Sequence, residues 1–328
     1  MKIGKIPTEL LKELVFSNIK HKRKEVLMGS GVGEDCAVVD FGDYIGVLST
    51  DPITGASSEI GSLAVHISCN DVASNGVEPL GLLLTILAPP DTGEEQLKQI
   101  MEDANRTACE VDVEIMGGHT EITDAVNKIV ISTTAIGRQP KNGMTFSKGA
   151  RVGDRLVMTK HGGLEGAAII AHDLEDKLRG KVSKETILEA KTFSGEISVV
   201  KEGKIAGAFG VNSMHDVTEG GVLGALWELG EASSLGVKVH VEKIPLRKAT
   251  KEITASLGID PLKLISSGVM VMAVDPEKVE GLLQEFTKQG VKATDVGEVI
   301  EGASYVLRGD QREPLGPPDT DELYKVLE

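Results

Sequence analysis

The apolar run PLGLLLTILAPP, residues 79–90, is the feature that most constrains how this chain can fold. It is far too short to cross a bilayer, which takes about 20 apolar residues. A continuous apolar run of this length, bounded by prolines, is typical of a buried strand. The helical pattern EEQLKQIMEDANRTACEV follows it. The run therefore predicts a sheet strand within a domain that mixes strands and helices.

The composition indicates a globular protein of two domains. The chain has 328 residues, of which 41% are hydrophobic and 3% aromatic, so it can bury a sizeable aliphatic core. Its net charge of −15 and pI of about 5.0 make contact with phosphate backbones unfavourable, and side chains that could stack on bases are scarce. We therefore expect no nucleic-acid partner. Metal ions would have to mediate contact with a phosphorylated small molecule.

The cysteines and the N-terminal segment give no sign of secretion. Cys36, Cys69 and Cys109 form neither a disulfide framework nor a zinc signature, and we expect them to be core residues. The first residues, MKIGKIPTELLKELVF, lack the apolar core of a signal peptide. We expect a cytoplasmic protein with no membrane partner.

Strand and helix patterns alternate in both halves of the chain, which predicts an α/β (α+β) fold. The stretch RQPKNGMTFSKGARVGD, residues 138–154, is rich in Gly, Pro and Lys and has no periodicity, as is common between domains. We place the domains at 1–145 and 146–328. Within them, GGHTE at 117–121 is expected to be a turn, and residues 184–209 one long helical segment.

Acidic residues recur where predicted strands and turns end. Asp35 closes a turn, Asp51 ends a strand, and Asp71 follows Asn70 late in a helix, while Asp216 leads the motif HDVTEGG. Carboxylates and amide oxygens are hard ligands that suit magnesium. Magnesium usually binds through a few carboxylates together with substrate phosphates. Such ions could let an acidic pocket hold ATP without the lysine of a P-loop, a motif that this sequence lacks.

Each acid taken alone also has a plainer interpretation. Asp35 could be an ordinary turn residue, and Asp51, which precedes a proline, could simply end a strand. Asp216 could cap the helix that follows it, where an acid favours the positive end. Asp71 is harder to explain in this way, because it lies on an otherwise apolar helix and burying an unpaired charge is costly.

The order of these motifs is more specific than any of them alone. GEDCAVV, STDP, NDVASNGVEP, GGHTE, HDVTEGG and SSGVMVMAV follow one another along the chain. This series resembles the AIR synthetase (PurM-like) superfamily over roughly residues 28–300. The resemblance implies a two-domain fold in which the N-terminal sheet forms the interface of a homodimer and a C-terminal α/β domain holds the substrate cleft. It also implies ATP and Mg²⁺ as cofactors, bound mainly by the N-terminal domain.

The same resemblance implies roles for individual residues. His119 takes the place of the acid that is usual in the GGHTE motif. The implied metal ligands are Asp35, Asp51 and Asp71, and the implied catalytic residues are Asp71, Asp216 and His119. The implied nucleotide-binding residues are Asp35, Asp51, Asn70, Gly117, Gly118, Thr120 and Glu121.

Among the members, the segment from STDP to NGVEPLGL looks most similar to the hydrogenase maturation type, HypE. That type ends in a Pro-Arg-Ile-Cys tail, whereas this sequence ends in DELYKVLE and has no cysteine after Cys109. The resemblance therefore implies an ATP-dependent enzyme that transfers a phosphoryl group, assisted by Mg²⁺, to an oxygen of an unidentified small molecule or carrier, with possible dehydration or ring closure. The alternatives are a small-molecule kinase of the thiamine monophosphate kinase type and a catalytically weak ATP-binding partner protein in a maturation complex.

Overall fold

Each half of the chain builds its own β-sheet. The computed structural model describes residues 6–31, 35–54, 59–141 and 145–327. Within these residues lie a six-stranded sheet from the first half and a seven-stranded sheet from the second. Helices accompany both sheets, so the expected α/β fold with two sheet-based halves is confirmed.

The first sheet has the strand order β1-β2-β3-β6-β4-β5. All its neighbours pair antiparallel except β4 and β5, which are parallel. Its strands are β1 Val26–Met28, β2 Ala37–Asp40, β3 Tyr44–Ile53, β4 Pro79–Ala88, β5 Glu114–Ile122 and β6 Val130–Pro140. The helices of this half are α1 Thr8–Leu14, α2 Ile60–Ala73 and α3 Glu94–Glu110, with a 3₁₀ turn at Phe16–Asn18.

The second sheet has the strand order β13-β12-β9-β11-β7-β10-β8. Its strands are β7 Arg155–Thr159, β8 Ser213–Asp216, β9 Gly236–His240, β10 Met270–Val274, β11 Ala293–Ile300, β12 Tyr305–Arg308 and β13 Gln311–Pro314. Its helices are α4 Leu164–Asp173, α5 Glu175–Leu178, α6 Lys184–Lys191, α7 Val200–Phe209, α8 Gly221–Ala232, α9 Lys248–Leu257, α10 Val279–Lys288 and α11 Tyr324–Leu327. Two 3₁₀ turns lie at Thr192–Glu196 and Val241–Lys243.

The apolar run that predicted a strand is β4, and its two faces differ. Leu82, Leu84 and Ile86 are buried in the core of the first half, whereas Leu80 and Leu83 are exposed on the opposite face. Helix α2 covers the buried side and is itself buried along nearly its whole length, because it packs on the first sheet, on α3 and on α7 of the second half. Among the described residues, helices therefore cover only one face of the first sheet.

The expected turn at GGHTE is wrong, because these residues belong to strand β5. Residues 117–121 pair in parallel with residues 83–87 of β4. A Cβ on Gly118 would lie 1.8 Å from the carbonyl oxygen of Leu84, so the glycine lets the two backbones approach closely. The register shifts between Leu82 and Leu83, as an extra residue in one strand produces. The glycines thus serve strand pairing rather than a reversal of the chain.

The expected single helical segment at 184–209 is also wrong. It consists of α6, a 3₁₀ turn and α7. The interruption follows from hydrogen bonding, since the side chain of Asn70 bonds the backbone at Ile197 and Val199 in place of helical partners. A segment held by a side chain from another element cannot be recognised from its own periodicity. Among the described residues, no helix is both long and apolar enough to span a bilayer.

Candidate functional site

Four aspartates converge from four separate elements of the two halves. Asp35 lies just before β2, Asp51 lies within β3, and Asp71 lies near the end of α2. Asp216 is the last residue of β8 in the second sheet. The carboxylates of Asp216, Asp51 and Asp35 each raise the pKa of Asp71, as is expected of negative charges that lie close together. We refer to these four residues as the acid cluster.

Asp71 is the most deeply buried member of the acid cluster, with 2% of its surface exposed. Burial, followed by the neighbouring carboxylates, raises its pKa well above the usual range. The hydroxyl of Ser49 on β3 donates a hydrogen bond to Asp71 Oδ2 and opposes that shift. A carboxylate in this position is strongly destabilised unless a cation lies beside it.

Asp216 is buried and lacks the partners that a buried carboxylate normally has. Neither of its side-chain oxygens has a hydrogen-bond partner among the described residues. Burial and the Asp35 carboxylate raise its pKa to about 7, against the opposing effect of His215. The plainer interpretation of Asp216 as a helix cap is wrong, because α8 begins only at Gly221 and follows Gly220. A bound cation or ordered water would supply the partners that these oxygens lack.

His215 connects the acid cluster to the rest of the second half. Its Nδ1 lies 3.1 Å from Asp35 Oδ2, and its Nε2 lies 3.3 Å from Glu228 Oε2. Burial opposes the charged imidazole, but the two carboxylates outweigh it and raise the pKa of His215 well above its usual value. A charged His215 would partly neutralise the acid cluster.

Two members of the acid cluster and His215 bring donor atoms close enough together for a divalent cation. One side-chain atom each from Asp35, His215 and Asp216 lies within 4.8 Å of the others. Hard carboxylate oxygens prefer Mg²⁺ among the common cations. The unpartnered oxygens of Asp216 are the observation that favours an ion here. Asp35 and Asp216 could hold it beside His215, and the carboxylates of Asp71 and Asp51 are near enough to interact with this group electrostatically.

Asn70, which the sequence indicated as a nucleotide ligand, is used elsewhere in the structure. Its amide nitrogen donates to the carbonyl of Ile197 at 2.8 Å, and its oxygen accepts from the backbone N–H of Val199 at 2.8 Å. The residue is fully buried. Both polar atoms of the Asn70 side chain thus hydrogen-bond the second half of the chain. This geometry gives no indication that Asn70 binds a nucleotide.

The predicted residues of the GGHTE motif lie apart from the acid cluster. Strand β5 is at the edge of the first sheet, three strand positions from β3, or about 14 Å at the usual strand spacing. His119 and Glu121 are exposed and lie 3.4 Å from each other, Nε2 to Oε2. Within one chain, the structure does not bring Gly117, Gly118, His119, Thr120 and Glu121 to the four aspartates.

Sequence reasoning missed two partners of the acid cluster and misjudged one cysteine. Ser49 carried no recognisable signal, because a serine in a strand is unremarkable before its neighbours are known. His215 precedes Asp216 in the motif HDVTEGG, but the sequence predicted a functional role only for Asp216.

The cysteines were expected in the core. Cys36 and Cys69 are buried as expected, whereas Cys109 is exposed, because it lies on the solvent side of amphipathic α3.

Comparison with protein families and curated proteins places the chain among enzymes related to AIR synthase. Residues 33–139 match the N-terminal domain of AIR synthase related protein, and residues 151–310 match its C-terminal domain. A putative hydrogenase expression/formation protein of Methanocaldococcus jannaschii is 31% identical over 290 residues, which cover 86% of this chain and 83% of the relative. The carbamoyl dehydratase HypE of Bradyrhizobium diazoefficiens is 30% identical over 277 residues, covering 82% and 78% of the two chains.

Solved structures show the same architecture. One chain of a HypE–HypF complex is 25% identical, with a TM-score of 0.76 over 94% of this chain and 99% of that one. HypE in complex with ATP is 21% identical, with a TM-score of 0.73 over 96% and 95% of the two chains, which shows a shared fold. The two family domains together match most of the chain. The chain therefore belongs to the AIR synthase related family.

Proposed function

We propose that this protein is an ATP-dependent enzyme whose acid cluster binds magnesium and the phosphates of ATP. The γ-phosphoryl group would be transferred to an oxygen of a small molecule or a protein-bound carrier, with dehydration or ring closure as a possible later step. The observation that carries the proposal is the pair of unpartnered carboxylate oxygens on buried Asp216, beside Asp35 and Asp71.

The charge balance of the acid cluster supports cation and nucleotide binding together. Four carboxylates lie near one another, and His215, whose pKa is raised, is a cation beside them. Bare phosphates would be repelled by this arrangement, so a divalent ion is required between the two sets of charges. When bound, magnesium would neutralise charge on the phosphates and so favour attack at phosphorus.

The chain's own residues would hold the site in place. Ser49 orients the Asp71 carboxylate through its hydrogen bond. His215 holds Asp35 in position by the contact at 3.1 Å. Asp216, with a pKa raised to about 7 by burial and by Asp35, could accept a proton near neutral pH from an attacking hydroxyl. We therefore assign Asp71 to cation binding and Asp216 to cation binding or proton transfer.

The relatives support the nucleotide and the enzyme class. One solved HypE structure of the same fold contains ATP, and a relative that is 30% identical is named a carbamoyl dehydratase. A HypE chain was also solved in complex with HypF, so an acceptor carried on a protein partner is compatible with this family. We also propose that the half before residue 145 binds the nucleotide and that the half after it forms the substrate cleft.

A homodimer completes the proposal. The uncovered face of the first sheet exposes Leu80, Leu83 and Met116, and an apolar patch of this kind commonly marks an interface. We propose that two copies pack through this face. His119, Thr120 and Glu121 lie on β5 at the edge of that sheet, and we keep them as nucleotide contacts only within such a dimer.

The experiment that tests the enzymatic proposal is ATP turnover. Phosphate release from ATP is measured with and without Mg²⁺ for the wild type, for Asp216→Asn and for Asp310→Asn, an exposed aspartate in the turn between β12 and β13. We expect turnover that requires Mg²⁺, falls at least a hundredfold in D216N and is unchanged in D310N. Turnover that is the same in D216N and the wild type would contradict the proposal.

A further inference from the structure

A second cleft lies between the two halves, along the first two turns of α2. Its walls come from α2 and α3 on one side and from α4 and the 3₁₀ turn at Thr192–Glu196 on the other. The enclosed volume is about 150 Å³, which is room for a molecule of about the size of benzene. Neither the acid cluster nor the residues of β5 line this cleft.

The cleft is strongly acidic. Four of its lining residues are acids, Glu59, Glu110, Glu165 and Asp173, and only one is a permanent cation, Arg106. The guanidinium of Arg106 is already paired with Asp103 outside the cleft at 2.7 Å. Glu59 lies 3.8 Å from Nε2 of His172, which also lines the cleft. Among the described lining residues the acids still outnumber the cations, so a ligand would meet a net negative charge.

Glu165 is the deepest of these acids and lacks a cationic partner. It is 4% exposed and accepts a hydrogen bond from the backbone N–H of Ser267 at 3.3 Å. No lysine, arginine or histidine of the described segments forms an ion pair with it. Burial raises its pKa to about 7, as is expected for a carboxylate that has lost water without gaining a cation.

His66 on α2 is a second buried polar group at the cleft, and it is independent of Glu165. It is 7% exposed and lines the cleft, and its Nδ1 has no hydrogen-bond partner in the part of the chain that the structure describes. Burial lowers its pKa to about 4, so the imidazole is neutral at pH 7. With its proton on Nε2, the ring presents Nδ1 as an acceptor for an N–H donor.

The remaining walls are apolar. Leu63, Ala168, Ile169 and Ile197 are all buried and face the same space. A ligand that satisfies the cleft must therefore combine N–H donors and positive charge with a short hydrocarbon segment.

We propose that this cleft binds a small organic cation, a short alkyl amine whose ammonium group meets Glu165 and His66 and whose carbon chain lies on Leu63 and Ile169. Glu59 also lines the cleft, and its partly exposed side chain would meet a second amino group. The inference goes beyond the phosphoryl-transfer site and does not depend on it, because binding needs neither nucleotide nor magnesium.

The test is titration calorimetry with a matched four-carbon series in the absence of ATP and Mg²⁺. Putrescine carries two ammonium groups, butanediol is neutral and succinate is anionic. We expect saturable binding of one putrescine per chain and no measurable binding of the other two. Equal binding of butanediol, or binding of succinate, would overturn the proposal.

Variants separate the cleft from the general attraction of an acidic protein for cations. Glu165→Gln keeps the size of the side chain and the acceptor for Ser267, and we expect at least a tenfold loss of putrescine affinity. Glu59→Gln, at the exposed mouth, gives a second reading that does not depend on a buried position, with an expected threefold to tenfold loss. Glu301→Gln, an exposed position between β11 and β12, is the control. Unchanged affinity in both E165Q and E59Q, or equal losses in all three variants, would refute the site.

Discussion

Nδ1 of His215 lies 3.1 Å from Oδ2 of Asp35, and this contact joins the second half of the chain to the first. His215 lies on β8 of the seven-stranded sheet, whereas Asp35 precedes β2 of the six-stranded sheet. The acid cluster therefore exists only when the two halves are docked. Docking of the halves and formation of the cation site are expected to be coupled.

A double-mutant cycle measures this coupling. We expect His215→Gln and Asp35→Asn, singly and together, to show an interaction free energy of about 1–2 kcal/mol in chemical denaturation, since one partner is buried and the other partly exposed. The exposed ion pair between Arg308 and Glu313, at 3.3 Å, is the control cycle and should give less than about 0.5 kcal/mol. Strict additivity of H215Q and D35N would show that the contact contributes nothing.

Asn70→Ala distinguishes a structural amide from a ligand. The substitution leaves the N–H of Val199 and the carbonyl of Ile197 without their partners, so we expect a loss of about 2–4 kcal/mol in the free energy of unfolding. The affinity for a non-hydrolysable ATP analogue should stay within about threefold of the wild type. Asn127→Ala, at an exposed position, should change neither quantity. A tenfold loss of affinity without a loss of stability would restore the ligand role.

Glu165 should make the stability of the protein fall with rising pH. Burial raises its pKa from the ordinary 4.5 of a glutamate to about 7 in the folded protein, so the folded state holds a proton that the unfolded chain releases between these values. The resulting penalty is absent below pH 4.5 and complete above pH 7. At about 1.36 kcal/mol per pKa unit, its upper limit is roughly 3 kcal/mol.

Denaturation of Glu165→Gln at pH 5 and pH 8 checks this sign. The variant should resemble the wild type at pH 5 and be more stable than it at pH 8, because the amide never ionises. Glu301→Gln should follow the wild type at both values. A variant that is less stable than the wild type at pH 8 would mean that the ionised carboxylate has a compensating partner.

The sequence predicted the elements that are determined by a pattern within one segment. It missed the features that are determined by contacts between segments far apart in the chain. Strand β4 and helix α2 followed from apolar patterns within one segment. The GGHTE part of strand β5 was predicted as a turn, because the role of Gly118 depends on its closeness to Leu84 on another strand. The acids at 35, 51, 71 and 216 were singled out in advance and do converge. The partners Ser49 and His215 were not, because the contacts that define them join positions far apart in the chain.

Light scattering tests the homodimer. Leu83 lies on the uncovered face of the first sheet and is 46% exposed. We expect the wild type to have about twice the 34.7 kDa mass of the chain at micromolar concentration, and Leu83→Lys to shift it to the monomer, because a lysine placed in an apolar interface loses its hydration. Leu188→Lys, at an equally exposed leucine on α6 that is 54% exposed, should remain dimeric. A monomeric wild type would end this part of the proposal.

Calorimetric binding of a non-hydrolysable ATP analogue, with and without Mg²⁺, tests the central claim most directly. The acid cluster repels phosphate unless a divalent ion lies between them. The account therefore predicts tight binding only when magnesium is present, at least a tenfold loss in both Asp71→Asn and Asp216→Asn, and no change in Asp310→Asn. Equal affinity with and without magnesium, or undiminished affinity in both D71N and D216N, would contradict it.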